Sequence, residues 1–464
     1  MTMTRMQQWC TVMGLVALGE VMGCHELTGS QALPAGTQNP AFYDTPSGAL
    51  SMRNAAIANL EYEIPRYITD TGLLTDELES SQTGASPGVS STIPFPVGGS
   101  LDERILPELT TGGSGPADLD YLGLQAVRGG VLQALGALAA YDTAANVPTL
   151  RGELYALDGY AEILLADFFC SGVPLSTLDF QGDYTYHASS NTTQIYQDAI
   201  TREDSALTLA GANDTIQALA SVLKGRALLD LGEYAQAAQA VASVPDGFQS
   251  RLDVQWTQSG SSTFTLNKFA TVSNLEGSNG LPFLAGGDPR TPTMVTESVE
   301  PNLEIYIPLT FPLKYNLTGY SHFTVADGIE AQLIQAEAAL QLGDVPIWLT
   351  RLNQLRKTAT VPGQTVTPLD TLTDPGASLT GSAADSARLA LTFQERAYWL
   401  FLTGHRQGDL RRLVREYGRS EAQVYPVGPY LAPGQGTYGT DVTAPIPAGE
   451  YANPLFHGCL DRGA

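Results

Sequence analysis

The 464-residue chain is long enough for one large or two ordinary domains with a sizeable core. Its 43% hydrophobic and 16% charged residues place it among globular chains rather than disordered ones. Forty-eight acidic against 24 basic residues give a formal net charge of −24, which argues against nucleic acid as a partner, because phosphate binding needs basic surface. Neutral ligands, cations or a basic protein face remain.

The N-terminal stretch MTMTRMQQWCTVMGLVALGEVMGCHE has one positive residue, Arg5, and then an apolar run to Gly19. That run is too short to span a bilayer and fits a secretory signal peptide over residues 1–23. It ends in Val21-Met22-Gly23-Cys24, which resembles a bacterial lipobox whose cysteine is lipidated and becomes the first mature residue. Met22 is bulky for that pattern and Glu20 interrupts the run, so a plain signal peptide with a nearby cysteine is the alternative. Residues 24–40 then read as a lipidated Cys24 and a flexible tether, whose segment TGSQALPAGTQNP could extend about 45 Å.

Residues 41–464 are expected to form one domain. TPSGALSMRNAAIANLEYEI predicts a first helix, with Thr45 or Ser47 as N-cap and Ala49, Leu50, Ala56, Ile57 and Leu60 on an apolar face. A Gly/Pro/Ser-rich loop follows TGLLTDELES and runs to residue 100. Residues 119–169 are helical in pattern; Leu154, Leu157, Ala161, Leu164, Leu165 and Phe168 recur at near 3.6 spacing. Another helix is predicted over 191–209. IQALASVLKGRALLDLGEYAQAAQAVASVP resembles a tetratricopeptide unit, with Gly225 and Gly232 seven apart and Tyr234 and Ala237 following. A weaker copy, IEAQLIQAEAALQLGDVPIWLTRLNQLR, has Ala336 and Gly343 at the same separation. The intervening 246–325 reads as a loop-rich insertion with short strands. In 391–414, an apolar face of Phe393, Ala397, Leu400, Phe401, Leu410 and Leu413 predicts a packed amphipathic helix or helix pair, despite its many charges.

Without the leader and a lipidated Cys24, two cysteines remain. An even remainder in an oxidising compartment predicts a bridge between Cys170 and Cys459; two separate buried thiols are the alternative. The five histidines form no HExxH and no close ligand pair, and there is no CxxC, so no metal site is expected. No nucleophile elbow, Walker loop or dinucleotide fingerprint is present, and no cofactor is expected. Carboxylates are plentiful, but nothing singles out a glycosidase pair.

Several short motifs occur in one order. NPAFYDTPSGAL opens the mature chain, FFCSGVPLS carries a GxVPL-like turn, and GDPR contains Asp288 and Arg290. AQLIQAEAALQLGD…LNQLR follows, then FQERAYWLFLTGHRQGDLRRL with Glu395, Arg396, Arg406 and Asp409, and finally APIPAGEYANP. Taken together they resemble the SusD/RagB family of outer-membrane nutrient-binding lipoproteins, along almost all of the mature chain. The resemblance implies a mostly α fold on a tetratricopeptide-like scaffold with a variable, loop-rich ligand face. It implies no catalysis. It implies instead a surface lipoprotein, held in the outer membrane by lipid, that captures glycan or another large nutrient for a SusC-like TonB-dependent transporter. Family sites draw on the first loop and the middle insertion. Here these offer Asp76, Glu77 and Phe95, then Trp256, Phe283, Tyr306, Tyr315 and Tyr320. Asp288, Arg290, Glu395, Arg396, Arg406 and Asp409 are expected to be structural. A helical-repeat envelope scaffold and a glycan-degrading enzyme are the rival readings.

Overall fold

In a computed structural model, the protein is described at residues 42–80, 99–107, 117–255, 270–272, 280–283, 286–300, 305–312, 314–315, 320–358, 368–429 and 437–464. The leader, Cys24 and the whole of the tether lie outside the described residues. Helices dominate: α1 (Pro46–Leu74), α2 (Asp118–Tyr141), α3 (Val147–Phe168), α4 (Thr192–Ala210), α5 (Asp214–Asp230), α6 (Tyr234–Ala240), α7 (Gly328–Gln341), α8 (Val345–Thr358), α9 (Ser382–Trp399) and α10 (Arg406–Arg415). Each of the first seven packs on the next along the chain, including α6 on α7 across the insertion. That is the stacking expected of helical repeats.

Local chemistry explains many of the boundaries. Thr45 caps α1: its side chain accepts the Gly48 amide at 3.1 Å. The sequence pattern carries this helix only to about Ile64. It continues through Pro65 to Leu74 because Tyr67, Ile68, Leu73 and Leu74 are buried in the core, which outweighs the missing proline amide. Asn191 and Gln194 form a reciprocal capping box on α4. Gly232 and Gly343, at φ +72° and +83°, follow α5 and α7 in the left-handed conformation. Gly225 permits close helix approach: a Cβ there would lie 2.5 Å from Val241 Cγ1. The two tetratricopeptide-like pairs are thus α5–α6 and α7–α8.

One large apolar core runs from Ala49 of α1 to Phe456 in the tail. A smaller one, around Leu333, Trp348, Leu352 and Trp399, joins α7, α8 and α9. The insertion holds short antiparallel ladders. Using β1 for Leu78–Ser80, its strands are β2 (Gln249–Gln255), β3 (Ala270–Val272), β4 (Thr293–Glu300), β5 (Ile305–Pro312) and β6 (Tyr320–Asp327). The pairs are β1–β3, β2–β6 and β4–β5. Cys170, just beyond α3, is bonded to Cys459 with S–S 2.02 Å.

Buried acids line some helix seams. Glu63 of α1 is 1% exposed beside Asp120 of α2, with Arg66 at 3.2 Å. Burial, then Asp120, pushes its carboxyl up to about 10. No described helix is long and apolar enough to cross a membrane.

Candidate ligand site

The charged stretch of 391–414 is a helix pair, α9 and α10, broken at Leu400–His405. Its ions are interior. Arg396 donates to Asp409 at 2.9 and 2.7 Å, and Arg412 donates to both Glu337 and Asp409. Burial alone would raise the Asp409 carboxyl; Arg396 and Arg412 outweigh it and hold the group well below the usual carboxylate range. The expected i,i+3 pair of Asp409 with Arg412 forms, at 2.8 Å. His405 does not use Asp409; its Nδ1 meets Thr403 Oγ1 at 2.7 Å and its Nε2 lies 3.1 Å from Glu330.

Other ions from this segment reach outward to the roots of the loops. Arg406 grips Asp76 with two bonds, at 2.7 and 2.8 Å, and Asp76 also accepts the Leu281 amide at 2.9 Å. One carboxylate therefore ties together the end of the first loop's stem, the insertion and α10. Arg290 plays the same part in GDPR. It donates to Asp288 and to Glu395 of α9 and lies over the rings of Tyr398 and Trp399 at 5.0 Å. Glu395 also takes Arg356 of α8 at 2.6 Å. All the residues expected to be structural are thus placed in buried or half-buried ion pairs.

The break between α9 and α10 is clamped from the same two sources. Leu402 has φ +51°, a left-handed conformation that costs a leucine energy. Glu77 accepts its amide at 2.8 Å, and the Tyr315 hydroxyl donates to its carbonyl. Lys314 Nζ donates to the Phe401 carbonyl at 2.6 Å. Burial is the main cause that pushes Glu77 up to about 8 and Lys314 down to about 8.

These contacts correct part of the expected ligand set. Asp76 and Glu77 are each 1% exposed and committed to Arg406 and Leu402. Phe283 is buried, stacked on Phe401 at 5.0 Å, and Tyr315 is buried, stacked on Phe323 at 4.5 Å. A ligand at the surface does not reach these four. They belong to the packed interior. Phe95 and Trp256 lie outside the described residues. Tyr306 sits in β5 opposite Val299, and Tyr320 begins β6 opposite Gln255, the residue before Trp256. The two ends of the first loop's stem and of the insertion meet in the β1–β3 ladder, where Leu78 pairs with Val272. The register therefore sets Ser80, at the end of β1, opposite Ala270, at the start of β3.

The sequence reading missed the Leu402 clamp, because nothing local marks a leucine for positive φ. It also missed two exposed tyrosines, Tyr184 and Tyr186, whose rings stand 4.9 Å apart on a surface hairpin; their alternation in YTYH was the available signal. Among the described residues no cluster of histidine, cysteine or carboxylate side chains is arranged to hold a metal ion.

No protein-family model matches the chain, and no curated protein matches it. Solved structures do. A SusD-like protein from Bacteroides fragilis superposes with TM-score 0.60 at 14% identity, over 93% of this chain and all of its own. A SusD superfamily protein from Bacteroides thetaiotaomicron gives 0.63 at 15% identity, over 89% of this chain and 99% of its own. A SusD-like carbohydrate binding protein from Bacteroides vulgatus gives 0.55 at 13%, over 89% and 97%. The chain has the SusD-like fold, mostly α, along nearly its whole length.

Proposed function

We propose that this protein is a surface lipoprotein that captures oligosaccharides or similar large nutrients and delivers them to a TonB-dependent outer-membrane transporter. The observation that carries this reading is the SusD-like fold over 93% of the chain, matched at full length by a SusD-like protein. The buried ion pairs Arg406–Asp76 and Arg290–Glu395, which join α9 and α10 to the stem of the first loop and to the insertion, support the reading. A solved structure of the same fold is named a carbohydrate binding protein, which favours a glycan as the nutrient. The net charge of −24 suits a neutral glycan better than an anionic polymer. Cys24 would carry the lipid and residues 24–40 the tether. Binding aromatics would come from Phe95, Trp256, Tyr306 and Tyr320, because a sugar's C–H face is apolar while its edges form hydrogen bonds. The role is binding, without catalysis.

A glycan and peptide binding screen on protein lacking residues 1–23 tests the reading. Saturable binding to a glycan, weakened at least tenfold by Trp256→Ala at unchanged melting temperature, is expected. Hydrolysis of the bound glycan that disappears on replacing one carboxylate pair would establish an enzyme instead. Labelled fatty acid incorporated by the wild type and absent from Cys24→Ala is the expected sign of the anchor. Co-purification with a transporter barrel from solubilised outer membrane tests delivery.

A further inference from the structure

Arg411 is 1% exposed, and among the described residues it forms no ion pair with a carboxylate. Every other buried arginine among the described residues faces a carboxylate, as Arg412 faces Glu337, or an aromatic ring, as Arg104 faces Tyr425. Arg411 Nη1 is spent on the carbonyls of Ala166 and Phe169, and its Nε has no hydrogen-bond partner. The buried Asp167 carboxyl lies near enough for Arg411 to help lower its pKa without a direct bond, and a buried N–H left without a partner is costly. The same arginine lines a cavity of about 180 Å³, beside Arg415, Ser171, Asn191, Thr192 and Thr193.

This cavity stands at the N-terminus of α4, a 19-residue helix, where the helix dipole and free amides favour negative charge. Asn191 takes the Gln194 amide at 2.9 Å and Ser171 Oγ takes the Thr192 amide at 3.3 Å, which leaves the Thr193 amide for a ligand. Arg415 lies over the Tyr196 ring at 5.6 Å and is partly exposed at the rim. The far wall is the tail segment at Asp461, Gly463 and Ala464. The Ser171 amide donates to the Asp461 carbonyl at 2.9 Å and the Leu460 amide to the Ser171 carbonyl at 2.7 Å, next to the Cys170–Cys459 bond. Asp461 is the one side-chain carboxylate in the lining, and its Oδ1 is turned to the Gly463 amide at 2.8 Å.

We propose that this cavity is an oxyanion site, taking one carboxylate, sulfate or phosphate group between Arg411, Arg415 and the first turn of α4. None of the loop residues assigned above to the nutrient lines it, so the inference stands without that reading. The volume admits a single such group and a few atoms beyond it. The disulfide holds the tail wall in place, so binding depends on the oxidised protein.

The test is calorimetric titration of the purified protein with sodium sulfate, sodium phosphate and glucuronate at constant ionic strength and pH, with glucose as the neutral control. Saturable one-to-one binding of at least one anion, and none of glucose, is expected. Preference for glucuronate would identify an anionic sugar as the source, and preference for sulfate or phosphate an inorganic oxyanion. Arg415→Gln removes the rim charge, and Thr193→Pro removes the free amide at a position in the first turn where proline is tolerated. Each should weaken binding tenfold or more with little change in melting temperature. Reduction with dithiothreitol should weaken it in the wild type. The absence of saturable anion binding in the wild type, or wild-type affinity in both variants, overturns the proposal.

Discussion

Arg406→Ala is the most informative single change among the buried ion pairs. Arg406 is 8% exposed and holds both oxygens of Asp76, which is itself 1% exposed. Truncation leaves that carboxylate buried, with the Leu281 amide still donating to one of its oxygens. Breaking a buried pair by removing one partner costs about 3–5 kcal/mol, against a total stability of about 5–15 kcal/mol. The urea midpoint should therefore fall steeply at unchanged slope. Arg406→Lys should fall between, because an ammonium keeps the charge but loses the planar two-bond grip. Replacing both partners, Asp76→Leu with Arg406→Met, should recover most of the loss, the remainder being about 1 kcal/mol for the Leu281 bond. Wild-type stability in Arg406→Ala, with ligand binding abolished, would refute the reasoning and return the pair to the binding site.

Further outcomes follow from the helix seams. Glu63 is held protonated in the fold, with its carboxyl raised from 4.5 to about 10 chiefly by burial and then by Asp120. Its contribution is fully present below pH 4.5 and is lost as pH rises toward 10, so stability should decline through that window. Glu63→Gln should flatten the decline between pH 7 and 10, as read by melting temperature against pH. Gly225→Ala should cost about 1–3 kcal/mol in urea unfolding, because the new Cβ would stand 2.5 Å from Val241 Cγ1 where α5 and the end of α6 converge. Val241→Ala in the same background should recover part of that loss.

How much of this was legible depended on whether the partner lay nearby in sequence. The seven-residue separation of Gly225 and Gly232 reported a helix pair because both ends of that contact lie within one repeat. The apolar spacing in 391–414 identified packed helices, although the turn at Leu400–His405 that divides them has no breaker stronger than Gly404. Cysteine parity pointed to the two residues that the structure joins. Asp76 and Glu77, by contrast, look like loop acids until their partners are known. Arg406 and Leu402 are 330 and 325 residues away, and no local pattern announces them. Phe283 and Tyr315 were misplaced for the same reason: an aromatic in a Gly/Pro-rich segment reads as exposed, but each stacks on a ring supplied by a distant element.

The bond between Cys170 and Cys459 has a separation of 289 residues, so it closes most of the chain into a covalent ring. The whole insertion, α4 to α10 and the Leu402 turn lie within that ring; the loop after β1 lies outside it. A single proteolytic cut anywhere inside the ring leaves both fragments attached. On a non-reducing gel such nicked protein should run as one band, and it should separate into two only after reduction. A cut in the first loop should release its fragment from denatured protein under either condition. The bridge thus makes the two halves of the proposed ligand face unequal in damage tolerance, with the loops of the insertion held after cleavage and the first loop not.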